Sequence, residues 1–174
     1  MRTALIIAFV IIAGPASAQA LKGHNANGPV DVDADRIEVQ DRADRAIFAG
    51  NVQVRQGGLS LDAARLTVAY SGGIAGGSPT IQRIDASGGV VVRSASETAR
   101  GSIAIYDLNR RLITMIGGVT LSQGANIVRG GRLVIDLNTG RSVIDGSAVG
   151  GGPGVSGGNG GRVTGRFSVP QRSN

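Results

Sequence analysis

An alternation of apolar and polar residues occurs in two long, matching copies in this chain. Residues 37–68 align with residues 103–135 once Ile116 is treated as an insertion. The matched positions include Asp41 with Asp107, Arg45 with Arg111, Ile47 with Ile113, Gln56-Gly57 with Gln123-Gly124, and Arg65-Leu66 with Arg132-Leu133. Self-similarity over such a length is typical of an architecture built from repeated units.

The spacing of the apolar residues predicts strands. Successive side chains of a strand point to opposite faces, so a period of two indicates strands with one apolar face. Three glycine-containing pairs each precede an apolar stretch: Gly50-Asn51, Gly88-Gly89 and Gly117-Gly118. Further turn signals stand at residues 41–44, 56–58, 71–73, 107–109, 123–124 and 137–140. Short strands with regular turn signals between them predict an all-β sandwich, barrel or solenoid.

The alternation changes phase near its start. Val30 and Val32 place the apolar residues on even positions, whereas Ile37 and Val39 place them on odd positions. A shift of one residue turns every following side chain to the other face unless the strand bends or bulges. We therefore expect a bend at Asp35-Arg36, within a first strand region that covers residues 30–39.

The first residues have the organisation of a secretory signal peptide. A short positive start is followed by an apolar run at residues 4–13, a Gly-Pro break and the small-residue site Ala16-Ser17-Ala18. An apolar run of this length is too short to cross a bilayer as a helix. We expect residues 1–18 to be removed, residues 19–28 to form a loose polar leader, and the protein to be exported.

The remainder of the chain reads as one domain with a tail. Residues 29–149 carry the strand pattern, and Cys is absent from the sequence, so this core must form without disulfides. Residues 150–161 are dominated by glycine, which is typical of a linker. In the tail, residues 150–174, the alternation resumes at residues 162–169, and we expect a short last strand there.

The sequence offers little for catalysis. His24 is the only histidine, which disfavours His-based nucleophilic catalysis and His/Cys metal sites. Asp31, Asp33 and Asp35 alternate with apolar residues and fit the solvent face of a strand better than an acid/base pair. The net charge of +6 comes from scattered Arg residues without a basic block, which disfavours nucleic acid as a partner. We predict no enzyme, no metal and no cofactor.

Several ordered motifs resemble one family. They are Asp-Ala-Asp-Arg-Ile-Glu-Val at residues 33–39, Phe-Ala-Gly-Asn-Val-Gln-Val-Arg-Gln-Gly at 48–57, Ile-x-x-x-Gly-Gly-Val-x-Leu-x-Gln-Gly at 113–124, and Gly-Arg-Leu-Val-Ile-Asp-Leu at 131–137 with Thr-Gly-Arg at 139–141. Together with the signal peptide, they resemble the LptA (OstA-like) family of periplasmic lipopolysaccharide-transport proteins.

The resemblance implies a fold, a ligand and partners. The fold would be a β-jelly roll, an open V-shaped stack of antiparallel strands whose interior carries the acyl chains of lipopolysaccharide (lipid A) across the periplasm. Family members stack head to tail, and they dock onto an inner-membrane LptC-like partner and an outer-membrane LptD-like partner with LptE. The glycine loop at residues 71–79 and the glycine-rich tail depart from the family pattern.

The alternation supplies candidates for the lining of such an interior. Each methylene buried from water is worth about 0.8 kcal/mol, so a carrier of acyl chains needs a continuous apolar lining. The candidate lining residues are Val30, Val32, Ile37, Val39, Ile47, Ala49, Val52, Val54, Leu59, Leu61, Leu66, Val68, Val90, Val92, Ile103, Ile105, Ile113, Met115, Val119, Leu121, Leu133 and Ile135. We expect Val30, Val32 and Ile37 to lie near the mouth.

An unclosed stack has unpaired edges that invite pairing with another chain. We therefore expect residues 30–39 to meet a C-terminal strand, residues 141–148, of the next subunit or of a partner. Three other hypotheses remain open: a structural β-solenoid or secreted surface protein without a lipid ligand, an OstA-like module of a membrane-linked or outer-membrane assembly, and a polysaccharide lyase of the β-helix type.

Overall fold

A computed structural model describes residues 27–72, 79–146 and 162–168. The expected signal peptide, most of the leader and most of the glycine-rich segments lie outside the described residues. Among the described residues, no helix has the length and apolar character to cross a membrane. The strands are β1 (Asp31–Asp33), β2 (Arg36–Gln40), β3 (Arg45–Gln56), β4 (Leu59–Ser71), β5 (Thr80–Arg93), β6 (Glu97–Asp107), β7 (Leu112–Gln123), β8 (Asn126–Asp136), β9 (Arg141–Asp145) and β10 (Thr164–Arg166).

All ten strands belong to one antiparallel sheet. Strands β3 to β8 are neighbours in chain order, so each hairpin adds one strand to the sheet. At one edge, β1 and β2 both pair with β3, and at the other edge β9 and β10 both pair with β8. The predicted bend at residues 35–36 lies between β1 and β2, where the Asp35 amide donates to the Gly50 carbonyl at 2.9 Å.

The central strands are longer than the sequence pattern predicts, because each is one strand bent in the middle. Pairing shifts between residues 49 and 52 of β3, between 62 and 65 of β4, and at the matching points of every later pair. Extra residues at these shifts form β-bulges, which bend a strand without ending it. The bulges follow one another across the sheet and form a single crease. The glycine-containing pairs lie in this crease, and the interpretation of them as turns is wrong.

The crease divides the sheet into two layers. Layer A contains β2, β9 and residues 45–49, 65–71, 80–87, 103–107, 112–116 and 132–136. Layer B contains β1, β10 and residues 52–56, 59–63, 90–93, 97–101, 119–123 and 126–130. Buried residues of both layers form one core cluster, so the two layers face each other.

Glycine is required at particular points of the crease. Gly88 has a φ of 87°, and a Cβ placed there would lie 2.6 Å from the Ala64 Cβ on the neighbouring strand. Gly117 has a φ of 88°, and its Cβ would lie 2.6 Å from the Ser102 Oγ. Side chains at these positions would therefore meet both backbone strain and a steric clash.

We expect Gly88→Ala to lower the free energy of unfolding by about 1–3 kcal/mol, because both the positive φ and the close approach oppose a Cβ. Gly58→Ala is the matched control, since a Cβ at Gly58 would have nothing within 4 Å and Gly58 does not have a positive φ. Urea denaturation of both variants measures the difference. Equal stabilities would show that the crease tolerates a side chain.

Candidate functional site: an apolar trough

The inner faces of the two layers carry continuous rows of apolar side chains. In an antiparallel sheet, directly paired residues lie on the same face, so the pairing register defines each row. One row of layer A, here called row 1, crosses the sheet through Ile37, Phe48, Leu66, Ala86, Ala104, Met115, Leu133 and Ile144. A row of layer B, here called row 2, crosses it through Val32, Val54, Leu61, Val92, Ala99, Leu121, Val128 and Gly165. The layers therefore enclose an apolar trough that runs across the strands.

The trough is buried in its middle and exposed at its ends. Leu66, Met115 and Leu133 are fully buried in the central strands. At the N-terminal edge, Ile37 of β2 is 55% exposed, and at the C-terminal edge Phe167 is 68% exposed. A Cβ on Gly165 would touch the Phe167 ring, which places this ring on the inner face of layer B. The apolar lining therefore extends to both edges of the sheet.

Most of the predicted lining residues face the trough. These are Val30, Val32, Ile37, Val39, Val52, Val54, Leu59, Leu61, Leu66, Val68, Val90, Val92, Ile113, Met115, Val119, Leu121, Leu133 and Ile135. Val30, Val32 and Ile37 lie at the N-terminal edge, and Ile37 and Val39 are half exposed there. Whether these residues contact a ligand stays a prediction.

Ile47, Ala49, Ile103 and Ile105 are placed on the outer face, and their assignment to the lining is wrong. Ile47 pairs with Glu38 and Thr67, whereas its neighbours Ala46 and Phe48 face inward. Ala104 and Tyr106 are buried, while Ile103 is 43% exposed. Both segments have apolar residues at odd and even positions, so the period alone did not decide which set faces the core. In each segment, the bulge at the adjoining crease determines whether the odd-numbered or the even-numbered residues face the core.

The sequence prediction also missed lining residues. They are Ala46, Phe48, Ala63, Tyr70, Ile84, Ala86, Ala99, Ala104, Tyr106 and Ile144. Several are alanines, which carry a weak hydrophobic signal, and Tyr106 has a polar hydroxyl. Ile84, Ala86 and Ile144 could have been assigned to the lining from the residues that they pair with, but only once the strand register was known.

A small cavity lies between the two layers. It is lined by Val30, Val54, Gln56, Leu59, Ser60, Leu61, Ile84, Val92, Ala104, Tyr106 and Ile113. Its volume is about 30 Å³, which is enough for one or two water molecules. An acyl chain is much larger, so the layers must move apart before such a chain can enter between them.

The free side of the trough, opposite the crease, is closed by a polar clasp. The Tyr106 hydroxyl of layer A donates to Gln56 Oε1 of layer B at 3.2 Å, and Gln56 Nε2 donates to the Gly28 carbonyl at 3.0 Å. Arg111, in the turn after β6, donates to Asn27 Oδ1 at 2.7 Å. Residues 27–28 therefore join the two layers at this opening, here called the seam.

Burial raises the pKa of the Tyr106 hydroxyl, although the nearby Arg111 opposes part of this shift. The pKa of Tyr70 is also raised, first by burial and then by Asp41 and Asp44. A phenol whose folded-state pKa exceeds the unfolded value near 10 contributes stability that is complete below pH 10. This contribution is lost as the pH rises through the folded-state pKa.

We expect Tyr106→Phe to lower the free energy of unfolding at pH 8 by about 1 kcal/mol, because the bond to Gln56 is lost. The variant should also lose less stability than the wild type as the pH rises above 10, since Tyr70 is then the one buried phenol left among the described residues. Urea denaturation at several pH values tests both statements. If the variant loses as much stability at high pH as the wild type does, Tyr106 is not the source of that loss.

The fold and the site together define a class of protein: an antiparallel sheet folded along a crease, enclosing an apolar trough and presenting open edges at both ends. Residues 31–141 match the family model described as LptA/(LptD N-terminal domain) LPS transport protein. The chain belongs to this family, which confirms the resemblance drawn from its motifs. The family is described by transport and not by an enzymatic reaction.

Two other proteins are similar to this chain. An uncharacterized protein of Rhizobium meliloti (strain 1021) is 35% identical over 121 residues, covering 67% of this chain. This chain spans 65% of the length of that relative. The crystal structure of LptH, the LptA homologous periplasmic component of the lipopolysaccharide transport device from Pseudomonas aeruginosa, matches with a TM-score of 0.70. That match has 18% sequence identity and covers 84% of this chain and 99% of LptH, so it shows a shared fold.

Proposed function

We propose that this protein is a periplasmic carrier that holds the acyl chains of lipopolysaccharide in its apolar trough. One observation carries the proposal: rows 1 and 2 cross the whole sheet, and the inner face carries exposed apolar side chains at both edges, Ile37 at one and Phe167 at the other. In a protein with a closed core, Ile37, Val39 and Phe167 would be expected to be buried, whereas here they are exposed at the two ends. Membership of a lipopolysaccharide transport family supports the choice of ligand.

The physical demand on such a carrier is continuity of the lining. Burial of each methylene is worth about 0.8 kcal/mol, so an acyl chain of a dozen carbons carried bare through water is unfavourable by about 10 kcal/mol. Side chains in row 1 are spaced by about 4.8 Å from strand to strand, so no gap in the lining is long enough to expose an acyl chain. The sheet provides this continuity, because nearly every strand contributes an apolar side chain to the row.

Loading requires the seam to open. The cavity of about 30 Å³ between the layers is too small for an acyl chain. The clasp at Tyr106 and Gln56 is polar and is joined by residues 27–28, whereas the crease on the opposite side is continuous backbone. We infer that the layers hinge at the crease and separate at the clasp, and that acyl chains enter from this side.

The open edges support a bridging role. Within residues 27–72, 79–146 and 162–168, strand β2 at one end and strands β9 and β10 at the other each have one unpaired side. We propose that copies of the protein associate head to tail and that the ends meet LptC-like and LptD-like partners of the same fold at the inner and outer membranes. A bridge of this kind lets the trough of one subunit continue into the next.

Residues 1–18 support placement in the periplasm. They have the order of a cleavable signal peptide, and they lie outside the described residues. LptH, which shares the fold, is named as a periplasmic component. The glycine-rich tail lacks the Gly-Lys-Ser/Thr ending of a phosphate-binding loop, and we expect any directional drive to come from a partner.

Photo-cross-linking tests the proposal, with a photoreactive amino acid placed at Ile37 or at its neighbour Glu38. Ile37 faces inward opposite Phe48, and Glu38 faces outward opposite Ile47. In cells, we expect lipopolysaccharide to be linked to position 37 at least about tenfold more than to position 38, because adjacent strand residues point to opposite faces. Equal yields at both positions, or none at either, would contradict binding in the trough.

A structural protein with a dry interior is the second candidate function, and the small cavity favours it. In that case, purified protein would retain no lipopolysaccharide, and the interior would be filled by the side chains of the protein alone. The same cross-linking experiment distinguishes the two functions.

A further inference from the structure

Both edges of the sheet are divided at the crease. At the N-terminal edge, β1 belongs to layer B and β2 to layer A. At the C-terminal edge, β9 covers residues 132–136 of β8 in layer A, and β10 covers residues 127–129 of β8 in layer B. Strand β10 is remote in sequence, because it follows the glycine-rich segment, and all three of its residues are exposed.

The directions of the strands suggest why β10 lies there. Every neighbouring pair in the sheet is antiparallel, so β1 and β2 run in the same direction as β8, whereas β9 and β10 run in the opposite direction. A second copy in the same orientation would place its β2 antiparallel to β9 and its β1 antiparallel to β10. Without β10, layer B would end one strand earlier than layer A, leaving a step of about 4.8 Å.

The cross-strand rows give the register of this contact. One outer row of layer B begins at Asp31 of β1 and ends at Arg166 of β10. One outer row of layer A begins at Arg36 of β2 and ends at Asp145 of β9. If the rows continue into a second copy, Arg166 faces Asp31 of that copy, and Asp145 faces its Arg36. Both contacts bring opposite charges together.

We propose that β10 is a docking strand, which completes the C-terminal edge for the acidic β1 strand of a second copy of this chain. The inference rests on the end-to-end association in the proposed function and goes beyond it. It assigns a role to the C-terminal segment, and it names the ion pairs Arg166 with Asp31 and Asp145 with Arg36 as the contacts that set the register.

Unused charges and exposed apolar groups support this assignment. Among the described residues, neither Asp31 nor Arg166 takes part in an ion pair, although Asp33 beside Asp31 is bonded to Arg55 at 2.9 Å. Asp145 lies 3.7 Å from Arg132, and Arg36 lies 3.7 Å from Glu38, so each would gain a second partner of opposite charge in the contact. On the inner face, the exposed Phe167 ring would continue the row that begins at Val30 of the second copy.

Cysteine cross-linking tests the register directly, because the chain contains no natural cysteine. In the full-length protein, Asp31→Cys combined with Arg166→Cys should form disulfide-linked dimers and longer ladders, since directly opposed strand residues lie within disulfide reach. Asp31→Cys with Arg100→Cys is the matched control, because Arg100 is exposed on the outer face of β6 in the middle of the sheet. This control should give no ladder above the background of a single cysteine.

A cysteine at Ile127 tests the opposite outcome, in which β10 leaves the sheet edge when a second copy binds. Ile127 is the residue of β8 in the same row as Arg166, and β10 covers it. If Asp31→Cys links to Ile127→Cys and not to Arg166→Cys, then β10 leaves the edge on docking and acts as a cap, which overturns the proposal. Absence of any intermolecular disulfide with Arg166→Cys would overturn it as well.

Charge reversal separates this inference from the proposed function. Arg166→Asp or Asp31→Arg alone should weaken self-association about fivefold by sedimentation velocity, and the double variant should recover it. Removal of residues 162–174 should weaken association at least as much. Unchanged or tighter association in these variants would exclude β10 as a docking strand. Binding of lipopolysaccharide by each variant, measured separately on the monomer, should remain at the wild-type level, so loss of that binding would concern the trough and not β10.

Discussion

Leu133→Asp is expected to prevent folding or to lower the free energy of unfolding by more than about 4 kcal/mol. Leu133 is fully buried in row 1, where it lies between Met115 on β7 and Ile144 on β9. A carboxylate in this position would be buried without a partner, and such groups cost several kcal/mol. Since a domain of this size is stable by about 5–15 kcal/mol in total, the variant should be largely unfolded.

Val134→Asp is the matched control for this prediction. Val134 is the next residue on β8 and faces outward between Thr114 and Val143, where Val143 is 38% exposed. A carboxylate there remains in water, so a change of less than about 1 kcal/mol is expected. Circular dichroism and urea denaturation report both variants. Similar losses at positions 133 and 134 would contradict the assignment of the two faces of β8.

The strands and the turns between them could be predicted from the sequence because both signals are local. The period of two marked the strands. Each of the predicted turns at residues 41–44, 56–58, 107–109, 123–124 and 137–140 includes residues of a connection between two strands in the structure. The family and the all-β class followed from the motifs and this pattern.

The crease could not be predicted, since a bulge is defined by the partner strand. A glycine with positive φ fits a hairpin turn and a bulge equally well, so Gly117-Gly118 reads as a turn in the sequence. In the structure, Ile116 pairs with Arg132 and Val119 pairs with Gly130, and the strand continues through the glycines. Long-range pairing decides between the two conformations, and a single sequence does not contain it.

The errors in the predicted lining have the same origin. In the segment 103–106, Ile-Ala-Ile-Tyr, larger aliphatic residues alternate with Ala104 and Tyr106, and hydrophobicity favours the isoleucines as the inner set. The bulge beside Ser102 sets the phase, and Ala104 and Tyr106 are buried. A local pattern therefore identified the trough as a whole but not every side chain in it.

Locking the seam is expected to abolish loading of lipopolysaccharide. Cysteines at Tyr106 and Gln56 would face each other across the seam, where the native side chains are bonded at 3.2 Å. Joining them with a short, reducible bifunctional thiol reagent should hold the layers at their closed separation, with a cavity of about 30 Å³ between them. If acyl chains enter only the opened protein, as we propose, apparent affinity should fall about tenfold or more.

The controls separate closure of the seam from other effects of the reagent. Before cross-linking, the Tyr106→Cys and Gln56→Cys double variant should bind lipopolysaccharide at least as well as the wild type, because the bond that closes the seam is lost. A reductant should restore this binding after cross-linking. Thr67→Cys with Asp85→Cys, treated identically, joins two neighbouring outer-face residues of layer A and leaves the layers free to separate. If the seam-locked protein binds lipopolysaccharide as well as this control, the acyl chains lie elsewhere than between the layers, because a trough that cannot widen has no room for them.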